Sequence, residues 1–156
     1  MPKKTINKLI LYKLANILDD GIIVSQSNAC LQYLGRKLNM MGSNPLEQSQ
    51  CEQLLCECMD LRNSVTEFAY GKVPQSPTDF LKNVANKNGA MGKLNLWKST
   101  IGSSNPAHFI GSSACAADFH IWEIIDQILS CAKFHSMYDT FTESFPALLQ
   151  VCSYVF

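Results

Sequence analysis

The chain has 156 residues, 47% hydrophobic and 17% charged, enough for a compact domain with a real core and too apolar for a disordered chain. Thirteen Lys plus Arg balance thirteen Asp plus Glu, and no basic stripe breaks that balance, so neither nucleic acid nor an anionic membrane surface is expected as partner. No apolar run approaches the ~20 residues of a membrane span, and MPKKTINKLILYKLA is interrupted by Lys8 and Lys13, so no secretory leader is expected.

In chain order, Ala15 to Leu18 and Ile22 to Ser25 read as the strands of a β-hairpin turned at Asp19-Asp20-Gly21, because Gly tolerates the positive φ of tight turns. A helix follows from near Ser27, with Cys30, Leu31, Leu34 and Leu38 at helical spacing and Lys37 suited to its C-terminal end. Asn39 to Ser43 is a linker and the best boundary, dividing residues 1–40 from 44–156.

Asn44-Pro45-Leu46-Glu47 has the cap, N1 proline and acidic N3 residue of a helix start. Its apolar stripe runs from Cys51 through Leu54, Leu55, Cys58 and Leu61 to Phe68, and Gly71 is a fitting stop. Ser76-Pro77-Thr78-Asp79 starts a second such helix, predicted to continue to Ile101 although Gly89 and Gly92 weaken its middle. After a Gly102–Pro106 loop, Cys115 to Leu129 is apolar nearly all round and is predicted to be the buried central helix. Pro146 opens a last helix, from Ala147 to about Phe156.

Seven cysteines, an odd number with Cys51, Cys56 and Cys58 inside one helical pattern, fit reduced thiols in a cytosolic compartment. Cys51 and Cys58 fall on the apolar stripe, so core packing is the simpler reading than zinc, and no metal is expected. His120 reads as a hydrogen-bonded core histidine.

The ordered motifs DDG…SQSNACLQYLGRK, CMDLRNSVTEFAYG, FIGSSACAADFHIWEIIDQ and FPALL resemble the cytosolic glutathione transferases, most closely their mu-like branch. The fold this implies is mainly α: the hairpin-and-helix second half of a thioredoxin-like domain, then the family's all-α helical bundle. It further implies a cytoplasmic homodimer that conjugates glutathione to hydrophobic electrophiles in detoxification, with glutathione as co-substrate and no cofactor. By the same resemblance Gln26 and Ser27 grip the γ-glutamyl group, Ala15 supplies a backbone contact, Asp60 reaches toward the glutathione of the partner subunit, and Tyr70 borders the electrophile pocket. The residues alone also allow blander roles: Ser27 or Asn28 as an N-cap, Asp60 as a solvated carboxylate, Tyr70 as an aromatic packed on Phe68 or Trp97.

Three positions depart from the family pattern. Asn16 stands where the family has a cis proline, so the loop beside Ala15 is expected to differ in shape. Cys115 replaces the hydroxyl residue of a capping box completed by Asp118. The chain also reads as starting after the strand that carries the thiolate-stabilising Tyr, Ser or Cys, and Tyr12 precedes the wrong strand to replace it. Two functions therefore stand side by side: a glutathione transferase whose activity in this chain is open, and a non-catalytic module that keeps the fold for dimerisation or docking.

Overall fold

Asp20 and Gly21, with φ of 46° and 82°, reverse the chain between strands β1 (Asn16–Asp19) and β2 (Ile22–Ser25). Two residues in the left-handed region match the right-handed twist of the strands, so the loop needs only these two. Asp19 therefore pairs with Ile22 and belongs to β1, one residue beyond the expected strand. Its carboxylate accepts from Tyr33 Oη at 2.7 Å and pairs with Lys37, tying the hairpin to the helix that follows. The computed structural model describes residues 15–72, 74–86, 88–100 and 105–155; Tyr12 and the rest of the first 14 residues lie outside them.

That helix is α1 (Ser27–Lys37). It ends where Asn39 adopts φ 55° and Met40 N–H donates to the Gly35 carbonyl, with Arg36 and Lys37 in the last turn. The linker then delivers Met40 to the bundle, its carbonyl accepting from Ala116 N–H at 2.8 Å.

Helix α2 (Pro45–Ala69) begins as its sequence requires, with Asn44 Oδ1 accepting from Glu47 N–H at 3.0 Å. The Glu47 carboxylate reaches one residue further back, to the Ser43 N–H. Cys51, Leu54, Leu55, Cys58 and Leu61 are buried along α2, and Phe68 stacks on Phe80 with ring centroids 4.2 Å apart.

The expected continuous helix from Pro77 is two helices, α3 (Pro77–Val84) and α4 (Ala90–Thr100). The first ends at Val84 with Ala85 as its C-cap, and Gly89 fits the tight connection to the second. A Cβ there would lie 2.9 to 3.2 Å from the carbonyl oxygens of Asn83, Asn86 and Val84, a crowding only glycine accepts.

Helix α5 (Ala116–Phe134) packs along α2 as the centre of the bundle and runs five residues past the expected end. It is not apolar-buried all round: Ile121, Ile124, Ile125 and Ile128 are buried, whereas Phe119 is 41% exposed. A short helix that the sequence did not announce, α6 (Tyr138–Ser144), buries Phe141. The last, α7 (Pro146–Val155), is held at its start by Asn95 Oδ1 of α4, which accepts from Leu148 N–H at 3.1 Å.

Candidate functional site

Gln26 sits at φ 82°, ψ 128°, a conformation that costs a residue with a side chain of order 1–3 kcal/mol. It is the N-cap of α1, yet its side chain makes no capping bond. Neither Ser27 nor Asn28 takes that place: Asn28 turns inward, its Nδ2 donating to the Leu55 carbonyl of α2 at 3.3 Å. The capping reading of Ser27 and Asn28 is therefore corrected. By contrast α2 and α3 are capped conventionally by Asn44 and Ser76.

The first backbone bond within α1 runs from Cys30 N–H to the Gln26 carbonyl, and the first turn carries no acidic residue. The turn thus presents amide donors and the positive end of the helix dipole without a side-chain acceptor of its own. Gln26 N–H is turned back to the Ala15 carbonyl at 3.2 Å, so Ala15, Gln26 and Ser27 are drawn to one place. Asn16 is the first residue of β1, its Oδ1 accepting from Ser25 Oγ at 2.6 Å, so the chain beside Ala15 is locked into the hairpin.

Asp60 is exposed on α2, about 7.5 Å along the helix axis beyond Leu55, the residue whose carbonyl Asn28 meets. Tyr70 lies a further ~15 Å on, at the C-cap of α2. It is 76% exposed, which overturns its packing against Phe68 or Trp97. The structure gathers Ala15, Gln26 and Ser27, holds Asp60 on the adjoining helix and leaves Tyr70 apart.

Beside Ser27 a cavity of about 440 Å³ opens between hairpin, α1, α2 and α5. Ala15 and Ile17 form one wall, Leu31 and Leu34 another, Phe119 a third. Three polar groups absent from the sequence reading of this site converge on it. Arg62 of α2 places Nη1 3.4 Å from His120 Nε2 and 3.7 Å from Glu123 Oε2, both on α5. His120 is 3% exposed, and burial together with the Arg62 charge pushes its pKa below the usual histidine value. The i, i+3 spacing of His120 and Glu123 signalled a shared helix face, but not that Arg62 would meet it.

Among the thiols, Cys51 and Cys58 are buried and Cys56 is exposed; burial pushes Cys58 up to about 12, so it is an inert thiol at neutral pH. Among the described residues no group of three His, Cys, Asp or Glu is placed to hold a metal ion, and no helix is long and apolar enough to cross a membrane.

Comparison with known proteins follows the same lines. No family model matches the chain. It is 29% identical over 144 residues to glutathione S-transferase 2 of Gallus gallus, covering 89% of this chain and 62% of that protein. It is 30% identical to glutathione S-transferase Mu 6 of Mus musculus, covering 85% of this chain and 55% of that protein. The chain thus spans little more than half the length of these relatives. Among solved structures, the pi-class glutathione S-transferase of Onchocerca volvulus superposes with a TM-score of 0.74 at 20% identity, over 99% of this chain and 72% of that one. The glutathione S-transferase of Ascaris lumbricoides superposes with a TM-score of 0.61, also at 20% identity.

Proposed function

Because the chain belongs to the glutathione transferase family, with mu-class proteins among its relatives, we propose that the start of α1 is a glutathione half-site. The observation that carries this reading is the left-handed Gln26 at a helix N-terminus left without a side-chain cap. Amide donors and a helix dipole suit the γ-glutamyl carboxylate, the Ser27 hydroxyl adds a donor, and the Gln26 amide both donates and accepts toward the amino-acid end. Ala15 contributes main-chain contact beside them, and Asp60 carries a carboxylate for the glutathione amine of a partner subunit.

The reaction proposed for the whole protein is addition of glutathione thiolate to a hydrophobic electrophile in a cytoplasmic homodimer, with no cofactor. Residues 1–40 belong in this reading to the thioredoxin-like part and 44–156 to the helical part. Tyr70 would border the electrophile only if other chain covers it, given its exposure. That exposure is what favours the second reading, a non-catalytic module that binds or dimerises.

The test is a calorimetric titration of the purified chain with glutathione beside the Gln26→Ala/Ser27→Ala variant. Saturable binding that the double substitution abolishes is expected. A folded chain that takes up no glutathione would transfer the lead to the module.

A further inference from the structure

Two thiols far apart in the sequence meet in the core. Cys51, in the second turn of α2, is 0% exposed, and Cys115, the N-cap of α5, is 2% exposed. The Cys115 thiol donates a hydrogen bond to the Cys51 sulfur, and the amides of Ala116 and Ala117 at the start of α5 bond to that same sulfur. Both cysteines are free.

The backbone fixes the pair in place. Cys115 N–H donates to Asp118 Oδ2 and Ala116 N–H to the Met40 carbonyl, each at 2.8 Å, so the second thiol is held between the start of α5 and the linker. Sulfurs already in hydrogen-bond contact need only a short approach to the ~2.05 Å of a disulfide.

The surroundings divide the roles. The bond from Cys115 pulls the Cys51 thiol below its ordinary pKa, against burial, and the Ala117 and Ala116 amides add to it. The same bond, with burial, pushes Cys115 up. Cys51 is therefore the thiol that yields a nucleophilic thiolate, and Cys115 the partner that resolves it. A cavity of about 320 Å³ beside the linker, with Met41, Gly42, Gln48 and Glu52 in its walls, brings solvent to the turn of α2 that carries Cys51.

We propose that Cys51 and Cys115 form a reversible disulfide when the chain meets a small peroxide, fastening α2 to the start of α5. The Cys51 thiolate attacks one peroxide oxygen, the O–O bond breaks, and the departing hydroxide takes up the thiol's proton as water. This leaves a sulfenic acid on Cys51. The Cys115 sulfur then attacks the Cys51 sulfur; the S–S bond forms, the S–O bond breaks, and hydroxide leaves with the Cys115 proton as a second water. The two thiols lose two electrons and the peroxide gains them. The proposal goes beyond glutathione binding and stands whether or not glutathione binds.

Hydrogen peroxide added to the full folded chain at low micromolar concentration tests it, with remaining thiols then blocked by N-ethylmaleimide in denaturant. Trypsin with a Glu-specific protease places Cys51, Cys56 and Cys58 in separate peptides and parts Cys115 from Cys131. The expected product is a non-reduced peptide joining Cys51 to Cys115, lost on treatment with dithiothreitol. Exposed Cys56 reports that peroxide has acted. Oxidised Cys56 beside unlinked, maleimide-blocked Cys51 and Cys115 would overturn the proposal, as would Cys51 linked mainly to Cys56 or Cys58. In a second measurement, Cys115→Ser keeps a hydroxyl donor beside Cys51 but removes the resolving sulfur. Its Cys51 sulfenic acid is expected to be trapped by dimedone severalfold more than in the natural chain. Equal trapping in both would equally count against the pair.

Discussion

At the scale of single residues, Gln26 separates stability from function. Its φ of 82° is a conformation glycine adopts at no steric cost, so Gln26→Gly is expected to raise unfolding free energy by about 1 kcal/mol while abolishing glutathione binding. Urea denaturation of Gln26→Gly beside Gln26→Ala checks this, since alanine keeps the strain; equal stabilities would mean that φ stores none. His120 gives the pH counterpart. Its folded pKa lies below the unfolded value near 6.5, so as pH falls past 6.5 the unfolded chain takes up a proton that the native ring refuses. Stability contributed by neutral His120 is present above 6.5 and drains away as pH drops toward the folded pKa. The groups facing the ring are Arg62, which opposes its protonation, and Glu123, which favours it. Thermal midpoints between pH 7.5 and 5 should fall less steeply for His120→Gln than for the natural chain. The Gln-Ser pair was legible because its place in the order of motifs is distinctive; the twist at Gln26 was not, since a side chain normally forbids it. Arg62 escaped because its role exists only once α2 lies against α5.

At the scale of elements, helix ends decide more than helix interiors. Asp118 accepts from Cys115 N–H and from Phe109 N–H, both at 2.8 Å, so one buried carboxylate closes the start of α5 and pins the loop before it. Lys98 helps, its Nζ donating to the carbonyls of Asn105 and His108. Asp118→Ala should therefore cost about 3–5 kcal/mol, as two buried donors lose a charged partner. Cys115→Ser replaces a weak acceptor at the N-cap by a hydroxyl and should gain up to about 1 kcal/mol. Differential scanning calorimetry separates the two; a neutral Asp118→Ala would show that the loop is held by Lys98 alone. The same logic tells which elements could be read beforehand. Helices α2 and α3 carry their cap and N1 proline in the sequence, and the Asp-Gly turn names the hairpin. The connection at Gly89 depends on three carbonyls closing around it, and α6 offers only Phe141 as a buried residue, too little for a periodic signal. Phe119 looked like core because its helix is apolar; its exposure depends on what lies across the cavity.

At the scale of the molecule, the hairpin and α1 join the bundle through a few specific links: Asn28 to the Leu55 carbonyl, Arg36 to Glu52 at 2.6 Å, and Ala116 N–H to the Met40 carbonyl. Leu38 and Leu46, 60% and 68% exposed on either side of the linker, leave apolar surface at that junction. Asp60 is exposed on the neighbouring helix, so a second copy could bring its own carboxylate to the start of α1. If the chain dimerises, apparent stability should fall by about 1.4 kcal/mol for each tenfold dilution. A mixing experiment then assigns Asp60. Gln26→Ala/Ser27→Ala and Asp60→Ala are each expected to bind glutathione poorly as pure proteins. In a dimer holding one of each, the site with intact Gln26 and Ser27 receives an intact Asp60 from the other subunit, while the second site carries both defects. Random pairing of equal parts should restore binding at about a quarter of all sites. If Asp60 instead serves its own subunit, every site in the mixture keeps at least one defect and mixing restores nothing.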